Sequence, residues 1–552
     1  MTIKFRNKLI LILISITVCI SIPLFPSGFY NSKDGELHLA RISSYAFELK
    51  NGQFPVRWAS KLNYGYGYPI FNFVYPLPYL FASLIHLGGI SLFLSLKLTL
   101  ISSMVLSAIF MYIAINSLLK SQRAALVSAF IYVLNPYRLL NIFIRAAIGE
   151  SFAFIFPPLS IYFFSKWLKT KKIDYLVYLS FSLAALILSH NALSIMFISF
   201  LLPFFLLLLF NSKTAKGIDY LSICFSFLLS LLMSSFFWVP SLLELKYTLA
   251  QHYLFQKDFR DYFLTIKQLV FMPWEYKSDY RPAYLGIIPI FIFILFLKKT
   301  IRSKNEKNKA TNLFLILSFI ISIFLITDKS RFIWELLTII QFFQLPWRFL
   351  SLSIFIISLI TAYYIKQSPK LSNINTYALV LLIFIFSFNK FRVEPYVWKE
   401  ESYFIKYPKS TTWHNEASPV WTAGESDSFP ETNIEIIGDS QLVSFKKYPT
   451  AHYLKIESKA RSKIINNTLY FPGWKLYINN QLSDIQFQDP QYRGLITFDL
   501  DIGLHDVKIV YEKTRIQIFA EYLSWISIII SLLAVLINLK KSRKNEFKIS
   551  SR

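Results

Sequence analysis

The sequence predicts an integral membrane protein, mostly α-helical, with about twelve transmembrane helices and an extracytoplasmic β-sandwich near the C-terminus. Three observations carry that expectation. Of 552 residues, 54% are hydrophobic and only 16% charged, against ~25% charged in a soluble domain, and the mean hydropathy is +0.45. Apolar runs recur that approach the ~20 residues a helix needs to cross ~30 Å of hydrocarbon. Lys and Arg number 58 against 32 Asp and Glu, a net charge of +26, and the excess gathers in alternate loops, as the positive-inside rule requires. The pI of 9.7 is therefore a matter of membrane topology and does not call for a nucleic-acid partner.

Taken in order, the twelve runs are Leu9 to Phe25, Leu92 to Leu118, Ala124 to Leu140, Ser151 to Leu168, Tyr175 to Ser189, Leu193 to Phe210, Leu221 to Pro240, Leu285 to Leu297, Leu313 to Thr327, Phe349 to Ile365, Tyr377 to Phe388 and Phe519 to Leu539. The first follows Lys4, Arg6 and Lys8 without a small-residue cleavage site, which suits a retained signal anchor with a cytoplasmic N-terminus. Alternation then puts Lys120/Arg123, Lys166/Lys169/Lys171/Lys172, Lys213/Lys216, Lys298/Lys299/Arg302/Lys304, Lys366/Lys370 and the C-terminal Lys540/Lys541/Arg543/Lys544 on the cytoplasmic side. The stretch Tyr75 to Leu87 is apolar but short and proline-broken, so it reads as an interfacial or re-entrant helix.

The opposite face receives Pro26 to Tyr75, Glu244 to Tyr284, Asp328 to Arg348 and Asn389 to Arg515. The last of these alternates apolar and polar residues in strand fashion at Lys475 to Asn479, Gly494 to Asp501 and Asp506 to Glu512. The expected division is a polytopic membrane domain over 1–389 with a first outer loop at 26–75, an extracytoplasmic β-rich domain over 390–517, and a final helix with a basic cytoplasmic tail over 518–552. Cys19 and Cys224 lie in apolar runs, which excludes a disulfide framework and a cysteine zinc site. No internal repeat is evident.

The first outer loop carries the most informative stretch. A helix beginning near Asp34 would put Asp34, His38 and Arg41 at i, i+4 and i+7 on one face. The plain alternative makes Asp34 an N-cap and leaves His38 and Arg41 in solvent. Farther along, Arg57-Trp58 and Gly65-Tyr-Gly-Tyr-Pro-Ile-Phe form an aromatic loop that reads either as an interfacial belt or as a surface for sugar rings or isoprenoid chains. Arg145 and Glu150 fall at the outer mouth of the fourth run, as a structural pair or a site. His190-Asn191 sits at another outer helix end, where capping is the simple reading. Arg348, in Gln344-Leu-Pro-Trp-Arg348, would snorkel to headgroups or bind a phosphate bidentately. These residues come from separate loops, yet alternation brings them to one face of the bilayer, which points to a shared outer cavity.

Absent patterns narrow the classes. There is no Walker loop, protein-kinase set, HExxH motif or G-x-S-x-G elbow, which leaves ATP-driven transport, zinc proteolysis and serine hydrolysis unsupported. His38, His86, His190, His252, His414, His452 and His505 show no metal-ligand spacing. One sequon occurs at Asn466-Asn-Thr468, a common chance match.

The ordered set Asp34-Gly-x-x-His38-Leu-x-Arg41, Gly52-x-x-Pro55-x-Arg57-Trp58, Gly65-Tyr-Gly-Tyr-Pro69-x-Phe71, Pro76-Leu-Pro78-Tyr79, Arg145-x-x-x-Gly149-Glu150 and Leu345-Pro-Trp-Arg348 resembles the polytopic family labelled 6-pyruvoyl-tetrahydropterin synthase-related. Despite the label, nothing in the chain supplies the histidine zinc ligands of pterin synthases. Pro472-Gly-Trp474-x-x-Tyr477, Gly503-x-His505-x-Val507 and Tyr511 are similar to the outer β-domain of bacterial proteins linked to glycosylation of envelope polymers. More broadly, the arrangement looks like the GT-C superfamily of polyprenyl-phosphate-sugar glycosyltransferases. That resemblance implies a catalytic base in the first loop, which falls on Asp34, with Glu36 as the second acid, separated from it by Gly35. It implies as partners membrane lipid, a polyprenyl-phosphate-linked sugar and a glycan, lipid or protein acceptor. His38, Arg41, Arg57, Arg145, Glu150, His190 and Arg348 become substrate-binding candidates, with the departing phosphate stabilised by arginines or by a divalent cation. Two other readings remain open: a non-enzymatic translocator or assembly factor for lipid-linked envelope precursors, and, less supported by the few midplane charges, an ion-coupled carrier.

Overall fold

The computed structural model describes residues 3–212, 214–250, 259–276, 280–303, 308–369, 371, 373–397, 399–422 and 426–550. Lys213, His252, Lys304 and Lys370 lie outside these residues, as do the side chains of Lys541, Arg543 and Lys544. The chain is mostly helical with a β-sheet domain near its C-terminus. Its first part runs α1 (Ile3–Ile20), β1 (Phe29–Tyr30), α2 (Gly35–Lys50), α3 (Pro76–Leu87), α4 (Leu92–Leu119), α5 (Gln122–Val133), α6 (Pro136–Phe143), α7 (Ile148–Ala153), α8 (Phe156–Thr170), α9 (Ile173–Ile187), α10 (Asn191–Phe210), α11 (Gly217–Met233) and α12 (Ser235–Leu243). Further apolar helices cover Ile287–Arg302, Lys309–Phe324, Leu350–Lys366 and Asn373–Phe388, and the last helix is Arg515–Ser550.

The twelve apolar runs fall mostly on helix, and length and composition alone do not bring the count of spans to twelve. Among the described residues five helices are long and apolar enough to cross a membrane, and up to eight if each bent pair is one span. The breaks have local causes. Between α5 and α6 the chain turns by 48°, because Pro136 has no N–H for the helix and disfavours helical geometry at Asn135. The Asn135 side chain then caps the new helix at Tyr137 N, 3.1 Å away. Between α11 and α12 the bend is 69°, and Ser235 donates to the Ala520 carbonyl at 2.9 Å, fastening it to the last helix. That helix begins at Arg515, ahead of the expected boundary at 518.

The strands of the β-sheet domain occupy 434–511, within the stretch 390–517. Strands β3 (Ile434–Ile437), β4 (Ser440–Tyr448), β5 (Ala451–Ser458), β6 (Ser462–Leu469), β7 (Trp474–Ile478), β8 (Gln481–Ser483), β9 (Leu495–Leu500) and β10 (Gly503–Tyr511) follow in order. They form a five-stranded sheet, β4-β5-β10-β7-β8, and a three-stranded sheet, β3-β6-β9, with antiparallel pairing throughout. Inward residues such as Leu454, Ile456, Ile464, Leu476, Ile496 and Phe498 fill the core, as period-two alternation dictates. Asn466 of the sequon is buried in β6 and bonded to His452 at 2.7 Å.

The first loop is clamped between helices and β-domain. Strand β1 pairs with β2 (Tyr396–Val397), which precedes the β-domain. The aromatics of this loop are packing residues. Trp58 is buried against Trp474 at 5.4 Å and Tyr511 at 5.5 Å, so the Pro-Gly-Trp segment serves to dock the sheet. Gly67, at φ +72°, makes this approach: a Cβ there would lie 2.9 Å from the Trp58 ring. Gly67→Ala is therefore expected to cost about 1–3 kcal/mol from left-handed strain and crowding, seen as a lowered melting temperature of the detergent-solubilised chain.

Candidate functional site

Asp34 occupies the N-cap position of α2 but its side chain caps nothing. Its carboxylate turns instead to Arg145. Arg145 Nε and Nη2 donate to Asp34 Oδ2 at 3.2 and 3.0 Å, and the Asp34 backbone N–H donates to the Arg145 carbonyl at 2.9 Å. Among the described residues nothing donates to Oδ1. The Asp34 side chain keeps 25% of its exposure, whereas Glu150 keeps 2%. Asp34 is therefore the open carboxylate of the group.

Arg145 continues inward. Its Nη1 donates to Glu150 Oε1 at 3.0 Å and to Asn141 Oδ1 at 2.9 Å, and its guanidinium lies 5.1 Å from the Trp347 ring centroid. The buried charge is held by two carboxylates, which raise its pKa against the opposing effect of burial. Glu150 Oε1 also accepts from Arg348 Nε at 3.2 Å, while its Oε2 accepts from Tyr137 at 2.7 Å and Asn141 at 3.2 Å. Arg348 Nη1 donates to the Phe343 carbonyl at 2.7 Å, and its Nη2 has no protein partner among the described residues. One continuous chain of charge thus joins Asp34, Arg145, Glu150 and Arg348, drawn from three distant segments.

A second group lies beside it. Arg41 Nη1 donates to the Tyr79 hydroxyl at 3.0 Å, and the same hydroxyl is hydrogen-bonded to His38 Nδ1, 2.8 Å away. Arg41 also donates to Thr411, which fixes it against the segment leading to the β-domain. His38 and Arg41 are buried rather than solvated. Tyr75 stacks between Tyr79 at 5.7 Å and His190 at 5.1 Å. Gly149 makes room for that stack, since a Cβ there would fall 2.1 Å from the Tyr75 ring. His190 caps α10 through Nδ1, which accepts from Leu193 N at 3.3 Å and so leaves its proton on Nε2.

Both imidazoles are held neutral. Burial and then the Arg41 charge lower the His38 pKa well below the usual value. Burial and then Arg348 push His190 down to about 3. Because the folded pKa is depressed, the unfolded chain binds the extra proton first, so this stability is present above the unfolded value near 6.5 and is lost as pH falls toward 3. At pH 5 the loss from His190 alone is about 2 kcal/mol. The melting temperature should fall between pH 7.5 and 5, and His190→Gln should flatten that slope.

Two expected members lie elsewhere. Glu36 pairs with Lys399 at 2.5 Å, away from Asp34. Arg57 is buried in a latch, bonded to Asn72 at 2.7 Å, the Phe236 carbonyl at 2.9 Å and Glu521 at 3.1 Å. It joins the first loop to α12 and the last helix and contacts no member of the network. Asn72 and Glu521 engage its two terminal nitrogens, while its Nε has no partner among the described residues. Among the described residues no three His, Cys, Asp or Glu side chains gather as a metal-ligand set. With Asp34 on Arg145 and Glu36 on Lys399, the donor set does not fit a divalent cation. Tyr75, Tyr79, Tyr137, Asn141 and Trp347 are additions to the expected set. The spacing Tyr137, Asn141, Arg145 at i, i+4 and i+8 was the available signal.

The sequence profile described as 6-pyruvoyl-tetrahydropterin synthase related domain, membrane protein, matches residues 71–393. An uncharacterized protein of Lactococcus lactis subsp. cremoris (strain MG1363) is 26% identical over 253 residues, or 44% of this chain and 41% of that protein. This chain therefore matches less than half the length of that relative. Among solved structures, arabinofuranosyltransferase AftD from Mycobacteria is similar at a TM-score of 0.43 and 11% identity, over 70% of this chain and 26% of that one. The archaeal oligosaccharyltransferase AglB from Archaeoglobus fulgidus, in complex with an inhibitory peptide and a dolichol-phosphate, is similar at 0.42 and 12%, over 76% and 62%. ArnT from Cupriavidus metallidurans, bound to undecaprenyl phosphate, is similar at 0.41 and 12%, over 68% and 63%.

Proposed function

This chain belongs to the 6-pyruvoyl-tetrahydropterin synthase-related family of membrane proteins, and from that premise we propose that it is a glycosyltransferase of the cytoplasmic membrane, moving a sugar from a polyprenyl-phosphate donor to an extracytoplasmic glycan, lipid or protein acceptor. The observation that carries the reading is the asymmetry of the ion network: Asp34 at its open end is anchored through Oδ2 with Oδ1 unengaged, and Arg348 at its buried end keeps Nη2 unengaged. Both termini lie in the cytoplasm in this reading, and the β-domain lies outside with the site. No nucleotide-sugar pool exists there, so the donor arrives in the membrane as a lipid-linked sugar.

Asp34 Oδ1 accepts the proton of the acceptor hydroxyl as its oxygen attacks the anomeric carbon. The glycosidic bond forms with inversion, the bond to the donor's phosphate oxygen breaks, and polyprenyl phosphate leaves with the electron pair. Arg348 Nη2 donates to that phosphate, a task suited to a planar guanidinium held in place beforehand by Glu150 and the Phe343 carbonyl. Neutral His190, with its proton on Nε2, is a further donor beside the same site. The step consumes no ATP.

One feature favours the alternative of a non-enzymatic translocator or assembly factor. A doubled guanidinium clamp on Oδ2 is also what a purely structural carboxylate shows. The discriminating experiment places the full chain in liposomes with a polyprenyl-phosphate sugar and a glycan acceptor. Release of polyprenyl phosphate in step with glycan growth supports the transferase; binding of the donor without release supports the alternative.

A further inference from the structure

A cavity of about 620 Å³ lies apart from the ion network, lined by residues of the α5–α6 junction, of 270–289 and of 383–390. Its volume falls within the ~300–1,000 Å³ typical of small-molecule sites. The lining is apolar along most of its length, with Ile131, Leu134, Pro136, Leu285 and Ile383 among its walls. Phe271, Phe386 and Phe388 line it too and are more than half exposed. Two of the three flank the end of the apolar helix Asn373–Phe388, so an occupant enters past hydrocarbon-facing side chains.

One lining residue does not suit an oil-filled pocket. Lys390 is only 5% exposed. Its ammonium donates to the Phe386 carbonyl and to Asn389 Oδ1 at 2.8 Å, both uncharged, and among the described residues no carboxylate pairs with it. Burial pushes its pKa down to about 8 with no neighbouring charge to raise it again. A buried cation is ordinarily paired, because desolvation is costly without an opposite charge. Apart from the uncharged Asn135, Ser387 and Asn389, the rest of the lining suits hydrocarbon, and Lys390 alone among the lining residues carries a charge that asks for an anion.

We propose that the cavity is a lipid site in which an acyl chain of an anionic glycerophospholipid fills the apolar lining and its phosphate diester pairs with Lys390. A single cation matches a single monoanionic phosphate, and a bilayer lipid brings charge and hydrocarbon in one molecule. The site is separate from the proposed transfer centre. Helix α6 begins at Pro136 on the cavity wall and runs eight residues toward Asn141 and Arg145, a length of ~12 Å. A bound lipid would therefore brace the start of α6, where Tyr137, next to Pro136, donates to Glu150 of the ion network.

The test is native mass spectrometry of the delipidated full chain, titrated separately with dioleoylphosphatidylglycerol, dioleoylphosphatidylcholine, dioleoylglycerol and inorganic phosphate. One phosphatidylglycerol should bind per chain at least tenfold more tightly than the zwitterionic or phosphate-free lipid, and millimolar phosphate should not displace it. Lys390→Gln should lose at least tenfold in that affinity, Lys390→Arg should retain it, and Ile383→Trp should weaken binding by filling the cavity with the charge intact. A thermal melt of each variant confirms folding. Unchanged affinity in Lys390→Gln, with only a lower melting temperature, would mean that the ammonium merely caps its helix and would overturn the proposal. Equal binding of dioleoylglycerol, or displacement by phosphate alone, would overturn it as well. The readout involves no sugar transfer, so this proposal and the transferase reading can fail independently.

Discussion

Asp34→Asn lowers sugar transfer by a factor of about 10²–10⁴, the usual contribution of a general base, while the chain still purifies as a folded species. The amide oxygen can keep accepting from Arg145, so the anchor of α2 survives and only proton uptake is removed. The measurement is release of polyprenyl phosphate by the reconstituted chain, read beside a melting curve. Glu36→Gln is the control. Its carboxylate is engaged by Lys399 at the surface, and exposed ion pairs contribute little, so transfer should change by less than about threefold. An Asp34→Asn variant that transfers at the wild-type rate removes Asp34 from the chemistry and leaves the translocator reading.

Glu150→Gln destabilises the fold by about 3–5 kcal/mol, the range seen when one member of a buried charge group is removed. All four donors to Glu150 are directed at its two oxygens, Arg145 and Arg348 at Oε1, Tyr137 and Asn141 at Oε2. A glutamine has one acceptor oxygen and turns an NH2 group toward the other pair: toward Arg145 and Arg348 it meets two guanidinium donors, and toward Tyr137 and Asn141 it meets the Asn141 amide donor while the Tyr137 hydroxyl must turn to accept. Two buried guanidinium groups also lose a shared counter-charge. The expected outcome is a large drop in melting temperature and in the yield of monodisperse protein, with transfer lost along with the fold. A variant that melts like the wild type would show that the arginines are hydrated or otherwise neutralised.

The helical part of the fold was legible because apolar runs mark helices wherever the solvent is hydrocarbon. Which helices are long enough to cross was not, since Pro136 and Ser234 break runs that hydropathy alone joins. The grouping of Asp34, Arg145, Glu150 and Arg348 follows from alternation of sides, which assigns the loops that carry them to the same face. Pairing was beyond that argument: nothing in the local sequence tells Arg57 to meet Glu521, 464 residues away, rather than the carboxylates of the site. The aromatic loop around Trp58 was open between ligand surface and packing, and burial against Trp474 and Tyr511 decides for packing. Tyr75 and Tyr79 carry no sequence mark of a site role, because tyrosines are so common at membrane interfaces that their spacing carries no distinction.

In the transferase reading Asp34 and Arg348 open to the same extracytoplasmic side. The direct measurement introduces single cysteines at Asn31 and at Ile339, both exposed near the two ends of the network, and at Thr170 as a cytoplasmic control, in a chain with Cys19 and Cys224 replaced by serine. Intact cells are then treated with a membrane-impermeant maleimide. Labelling at 31 and 339 without permeabilisation, with 170 reacting only after it, is the expected result. Labelling of 31 and 339 from opposite sides of the membrane, or of both only from the cytoplasm, would contradict it.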